Sequence, residues 1–149
     1  MRARQLKRIQ YYKGAAEHWR EAIRVQKERC LEAKKDFRID LNFYVVAVFR
    51  LREVARQAKD RLNLPVLNDA IERFDARWPR FKELRNEEEH ITGPSGQFPL
   101  GAWYFQNSVA DLKAHGKVEY LVHIEHMESD VEALYGAICE VLDAELPES

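Results

Sequence analysis

Apolar residues recur every three or four positions along most of this chain, and that spacing limits its fold more than any other feature. Residues so spaced share one face of an α-helix, so each run predicts a helix with one apolar stripe. The first stripe predicts an unusually long helix from Leu6 to about Phe37, and the second predicts a helix ended by Asn63 and Pro65. Because the connection is short, the two helices should be antiparallel. The stripes consist of Leu6, Ile9, Tyr12, Ala16, Trp19, Ile23 and Cys30, then Leu41, Val45, Val48, Leu51, Ala55, Ala58 and Leu62.

A third stripe contains a proline in its middle. Pro79 lacks a backbone donor and clashes with the preceding turn, so the helix either kinks there or restarts with Pro79 in its first turn. The stripe consists of Leu67, Ala70, Ile71, Phe74, Trp78, Phe81 and Leu84.

Between about residues 100 and 124 the pattern becomes typical of strands. Turn-forming residues from Thr92 to Gly101 lead into Ala102 to Gln106, which we expect to be a short strand. Apolar and polar residues then alternate from Lys117 to Ile124, which predicts a second strand and therefore a β-hairpin.

The last apolar stripe predicts a closing helix. Ser129 and Glu132 have the Ser-x-x-Glu spacing of a capping box, which predicts its first turn. The sequence therefore predicts an all-α fold, a four-helix bundle with a small β-hairpin inserted before the last helix, in a single domain spanning residues 1–149.

Composition narrows the class of protein. With 149 residues, 46% hydrophobic and 33% charged, the chain can form one ordinary core. The longest apolar run, Phe43 to Phe49, is far shorter than the roughly 20 residues that span a membrane, and the N-terminus lacks an apolar signal core. Cys30 and Cys139 lie on apolar stripes, so we expect buried thiols instead of a disulfide or a metal site. These features predict a cytoplasmic protein that uses no metal or cofactor.

Charge is divided unequally along the chain. Residues 1–62 hold 17 Lys and Arg against 8 Asp and Glu, whereas residues 63–149 hold 7 against 17. The basic N-terminal segment can contact RNA, or it can dock on the acidic half of its own chain. The candidate RNA-binding residues all precede the first acid, Glu17, and are Arg2, Arg4, Lys7, Arg8 and Lys13.

One short segment carries a chemical signal beyond packing. Arg85, Asn86 and His90 form an Arg-Asn-x-x-x-His motif at the expected end of a helix, where Asn86 and His90 share a face. Arginine binds phosphate with a planar fork of donors, and histidine transfers protons near neutral pH. The motif favours cleavage of a phosphodiester without a metal, although cations are also common at helix C-termini for electrostatic reasons alone.

This motif, in a bundle of this size, resembles the HEPN superfamily (higher eukaryotes and prokaryotes nucleotide-binding), whose hallmark is Arg, four to six residues, then His. The string from Pro79 to His90 is also similar to that of bacterial HEPN-like proteins. The resemblance implies a homodimer in which two motifs face one composite cleft. It also implies a metal-independent endoribonuclease or RNA-binding protein, of the kind found among toxins and phage-defence proteins, with a possible cognate antitoxin or other protein partner.

The resemblance further assigns a role to each motif residue. His90 would transfer the proton as the RNA 2′-hydroxyl attacks phosphorus, Arg85 would stabilise the phosphate, and Asn86 would orient one of them. Residues 87–89 depart from the pattern because they place three glutamates inside the motif, which opposes the approach of a polyanion. The alternative function is therefore a non-catalytic helical interaction or dimerisation module, in which the same residues support the neighbouring loop.

Overall fold

The computed structural model describes residues 2–32, 38–78 and 109–147. Within those ranges the chain forms four α-helices and no strand, so the all-α prediction is confirmed and a four-helix bundle fits. The helices are α1 (Ala3–Glu32), α2 (Arg38–Arg61), α3 (Leu67–Arg77) and α4 (Val109–Ala144).

The apolar stripes identified in the sequence form the core. From α1 the buried side chains are Ile9, Tyr12, Ala16, Ile23 and Cys30. They pack with the buried face of α2 and with α4, whose Met127, Val131, Leu134, Ile138 and Leu142 are at most 2% exposed. Burying each such large side chain stabilises the fold by about 1.5 to 3 kcal/mol. Hydrophobic periodicity therefore located these core positions, except Met127.

The junction between α2 and α3 follows the sequence signals for a helix end. Asn63 has a φ of 53°, in the left-handed region that asparagine adopts more readily than most residues. The backbone N–H of Leu64 reaches back to the carbonyl of Lys59 at 2.9 Å, the long bond of a Schellman motif. Pro65 follows and cannot continue the helix. The predicted end of α2 is thus confirmed.

The third helix ends before Pro79. Trp78 leaves the helical conformation with φ −131° and ψ 64°, as expected for a residue that precedes proline. Its indole Nε1–H donates to Oδ2 of Asp130 on α4 at 2.9 Å, which joins the end of α3 to α4. The predicted segment beyond Pro79 lies outside the described residues.

A buried arginine joins α2 to α3. Arg52 is only 4% exposed, and its guanidinium donates two hydrogen bonds of 2.7 Å to the carboxylate of Asp75. It also lies 3.3 Å from the carboxylate of Glu53, which is 8% exposed. Charged groups are this deeply buried only when they are paired, so the contact orders the two helices against each other.

The strand predicted from Lys117 to Ile124 is wrong, because α4 passes through it as continuous helix. Ser129 is likewise an interior residue of α4 and not the cap of a new helix. In the sequence, Ile124 and Tyr120 precede Met127 at three-four spacing, so this segment also fits the helical period. Residues 102–106, the other predicted strand, lie outside the described residues. The inserted hairpin is therefore not seen.

The structure also bears on the predictions for the two cysteines and for membrane spans. Cys30 is buried as predicted, whereas Cys139 is half-buried, and neither forms a disulfide. No helix in the described ranges is long and apolar enough to cross a membrane.

Candidate nucleic-acid interface

Three cations of α1 are paired with acids on α4. The Lys13 ammonium lies 2.6 Å from Oδ1 of Asp143, and Lys27 contacts Glu128. These two pairs are separated by roughly 21 Å along α1, which is the rise of four helical turns. Along this stretch the basic helix docks on the acidic half of the chain, as one of the two sequence interpretations predicted.

Arg20 completes the contact between α1 and α4. Its guanidinium donates two hydrogen bonds of 3.1 Å to the Glu132 carboxylate, which raises the pKa of Arg20. The same guanidinium lies 4.8 Å from the ring centroid of Tyr135, within the range of a cation–π contact. A hydrogen bond with Cys139, together with burial, raises the pKa of Tyr135 to about 12.

The start of α1 has a different electrostatic environment. Across the described parts of the chain, no ion pair involves Arg4, Lys7, Arg8 or Arg61. All four side chains are exposed, and they line one concave region of about 700 Å³. We call this region the basic surface. Its lining residues are Arg4, Lys7, Arg8, Tyr11, Tyr12, Gln57 and Arg61.

Helical geometry explains why these residues meet. Arg4, Lys7, Arg8 and Tyr11 follow the i, i+3, i+4, i+7 spacing that places side chains on one helix face. Because α1 and α2 are antiparallel, the first turns of α1 lie beside the last turn of α2, which contributes Arg61. Over this face α1 rises by roughly 10 Å.

The field at the basic surface is positive. Within the described ranges none of its lining residues is acidic. The first turn of α1 also lacks an acidic residue, so the partial positive charge of its unpaired N–H groups is not offset there. Concave regions lined by one sign of charge concentrate ions of the opposite sign, so this region favours anions.

An exposed aromatic ring lies at the edge of these cations. Tyr11 is 68% exposed, and its ring packs edge-to-face on Tyr12 with centroids 5.2 Å apart and an interplanar angle of 79°. Tyr12 is only 3% exposed and is part of the core. The basic surface thus combines unpaired cations with an aromatic ring anchored from beneath, a combination used to bind single-stranded nucleic acids.

The sequence predictions fall into three groups in the structure. Arg4, Lys7 and Arg8 come together on the basic surface. Arg2 is exposed ahead of α1 and does not line it, and Lys13 is held by Asp143. The motif residues Arg85, Asn86 and His90 lie outside the described residues and stay predictions.

Sequence reasoning missed Tyr11 and Arg61 among the lining residues of the basic surface. Tyr11 lies three positions after Arg8 and four after Lys7, a spacing that would have placed it on the same face. Arg61 is distant in sequence, but the antiparallel arrangement of the first two helices would have brought it to this end of the bundle.

Comparison with known proteins adds no relative. No protein-family model, curated protein or solved structure matches this chain.

Proposed function

We propose that this chain is a HEPN-like protein that binds RNA on its basic surface and cleaves it without a metal through Arg85, Asn86 and His90. The supporting observation is the group of four exposed cations that have no acidic partner within the described ranges, although acids neutralise the other cations of the bundle core and of the α1–α4 contact. Phosphate charge supplies most of the sequence-independent affinity of a protein for nucleic acid.

The cleavage part of the proposal rests on the Arg-Asn-x-x-x-His motif and not on the basic surface. In the proposed reaction His90 moves the proton of the 2′-hydroxyl or of the leaving oxygen, and Arg85 stabilises the charge that develops on phosphate. A homodimer would place two motifs at one cleft, as the HEPN resemblance implies. The basic surface would hold the strand from which the scissile phosphate comes.

The test combines an RNA-binding assay with an RNA-degradation assay in the presence of EDTA. We expect wild type to bind and cut RNA, whereas Arg85→Ala and His90→Ala should bind with unchanged affinity and cut about 10² to 10⁴ times more slowly. Arg8→Ala should weaken binding. Its matched control is Arg29→Ala, which removes an exposed arginine of the same helix that also has no ion pair in the described ranges. Equal cutting by all variants would refute the catalytic assignment, and absence of RNA binding would refute the whole proposal.

A second candidate, a dimerisation module, is favoured by a groove between α3 and α4. Its lining includes the apolar residues Ala137, Val141 and Val66, of which Val66 is 60% exposed, and its volume is about 800 Å³. Arg73 on the α3 side has no ion pair in the described parts of the chain, whereas Glu140 lies on the α4 side. Asp69 also lines the α3 side, so the proposal rests on the apolar lining: a two-fold axis along the groove would pack the apolar residues of one copy on those of the other, and the occupant we propose is a second copy.

Sedimentation distinguishes this candidate. Ala137→Arg should convert a dimer to a monomer, because a long charged side chain would fill the groove. Ala22→Arg on α1 is the control for the substitution itself. A chain that is monomeric at every concentration would refute the module, and an unchanged dimer in Ala137→Arg would place the contact elsewhere.

A further inference from the structure

The position of Tyr11 carries information beyond charge. A tyrosine ring that is 68% exposed contributes little to the core, yet this one is held in place by its edge-to-face contact with the buried Tyr12. Because the anchor lies beneath it, Tyr11 presents apolar ring surface to solvent next to four cations. The arrangement suits a ligand with both a negative charge and a flat apolar face.

The dimensions of the basic surface limit the ligand further. Arg4, Lys7 and Arg8 precede Tyr11 on the same face of α1, and the whole face rises by roughly 10 Å. Arg61 contributes a further cation from α2. The face is therefore long enough for a few nucleotides at most, with phosphates at one end and a base at the other.

The Tyr11 ring can stack only on a base that has an uncovered face, and this requirement favours single-stranded RNA over a duplex. In a duplex each base is covered on both faces by its neighbours, so it has no face available for a side chain. In a single strand a base can leave its neighbours and stack on an aromatic residue, with about 1 to 3 kcal/mol per base lost when that residue becomes alanine.

We propose that the basic surface binds single-stranded RNA, with one unpaired base stacked on Tyr11 and the adjacent phosphates bound by Arg4, Lys7, Arg8 and Arg61. This inference rests on the proposed function and names its substrate class. It differs from the assignment of Arg85 and His90, because it concerns how the strand is held and is independent of any cleavage.

The experiment measures affinity of the full-length protein by fluorescence anisotropy with three RNA probes. One is a single strand of about 12 nucleotides without self-complementarity, a length within the range of single-strand sites. The second is the same strand annealed to its complement, and the third has the same backbone with abasic nucleotides at every position. All three have phosphate charge, but only the first offers an unstacked base.

Three variants accompany the probes. Tyr11→Ala removes the ring and Tyr11→Phe keeps it. Phe43→Ala removes an aromatic residue of α2 that is 52% exposed and does not line the basic surface, so it is the matched control. Circular dichroism checks that each variant is folded.

We expect wild type to bind the single strand more tightly than the duplex. Tyr11→Ala should weaken single-strand binding by roughly 5- to 150-fold, whereas Tyr11→Phe and Phe43→Ala should change it by less than about threefold. The abasic probe should bind wild type and Tyr11→Ala equally, because the ring then has no base to contact.

Two failures can be told apart. Duplex binding as tight as single-strand binding, or unchanged single-strand affinity in Tyr11→Ala, would overturn the stacking inference and leave RNA binding in place. Failure of every probe to bind wild type would overturn the proposed function as well.

Discussion

The first turns of α1 and the stretch from Lys13 to Lys27 have the same kind of side chain and opposite electrostatic outcomes. From Lys13 to Lys27 the cations that face α4 meet carboxylates, whereas Arg4, Lys7 and Arg8 meet none within the described ranges. The difference arises from the helix that lies opposite. The end of α4 at Ala144, just after the Asp143 that pairs with Lys13, leaves the first turns of α1 beside the basic end of α2.

This comparison shows that the role of a basic segment depends on which residues lie opposite it in the fold. Where acids face it, its charge joins helices; where they do not, its charge is available to a ligand. Exposed ion pairs contribute little to stability, typically 0.2 to 1 kcal/mol, so the paired region is a weak contact made of many parts. The unpaired region costs some self-repulsion and favours anions.

The largest expected effect on stability comes from the buried ion pair between Arg52 and Asp75, which lies outside both regions of α1. Arg52→Ala should lower the free energy of unfolding by about 3 kcal/mol, because it leaves the carboxylate of Asp75 without its cation, whereas Glu53 keeps its contact with Arg56. Arg8→Ala should change it by less than about 0.5 kcal/mol. Urea denaturation measures both. If the two substitutions cost the same, the distinction between paired and unpaired cations has no energetic meaning.

Reversing charge should affect RNA affinity only at the unpaired end. The double variant Arg4→Glu with Arg8→Glu should bind RNA about 100-fold more weakly, because two attractive phosphate contacts become repulsive. Arg29→Glu, on the same helix but roughly 30 Å away, should stay within about threefold of wild type. A similar loss in both proteins would indicate a response to net charge and not to the basic surface.

The salt dependence of RNA affinity reports how many phosphates the protein neutralises. For single strands the logarithm of affinity falls against the logarithm of salt concentration with a slope of about 0.7 per phosphate neutralised, so Lys7→Ala should reduce the slope by about 0.7. Lys27→Ala should not change it, because Lys27 is already paired with Glu128. Titrations at several salt concentrations test this, and equal slopes in wild type and Lys7→Ala would remove Lys7 from the interface.

Within the paired region single substitutions should have small effects. Arg20→Ala removes an exposed double hydrogen bond to Glu132 and the contact with the Tyr135 ring, and should lower the free energy of unfolding by about 1 kcal/mol or less. Chemical denaturation measures the change. A loss of several kcal/mol would mean that the α1–α4 contact depends on one pair.

The smallest effect concerns the titration of Tyr135. Its raised pKa of about 12 favours the neutral phenol in the folded state, so the associated stability is complete below pH 10 and is lost as the pH rises through 12. Cys139→Ala should lower the pKa of Tyr135 towards 10. Ultraviolet absorbance titration measures this pKa when the curve of Tyr135→Phe is subtracted as the background of the other tyrosines. An unchanged pKa of Tyr135 in Cys139→Ala would exclude the hydrogen bond as the cause of the shift.

Much of the fold could be predicted from particular residues because local physics determines them. The stripe that contains Ile9, Tyr12 and Ala16 is buried as the helical period required, and Asn63 with Pro65 ends α2 for steric reasons that act within a few residues. The prediction of a strand at residues 117–124 was wrong because this apolar-rich segment fits both the two-residue period of a strand and the three-four spacing of a helix. The segment forms part of one long helix, α4, with the stripe that begins at Met127.

The candidate site was predictable only in part. Arg4, Lys7 and Arg8 are close in sequence, so their common face follows from helix geometry, whereas Arg61 joins them only because two helices pack antiparallel. The Arg85–His90 motif stays a prediction of the sequence.

By itself the sequence determined the all-α fold class, the faces that α1, α2 and α3 bury, and an N-terminal excess of positive charge. Only the tertiary structure decided how that charge is used, because whether a cation is neutralised depends on which residues lie within a few ångströms. Asp143 lies 130 residues from Lys13 in the chain and 2.6 Å away in space. No comparable acid reaches the basic surface in the described ranges, and its cations are therefore available to a polyanion.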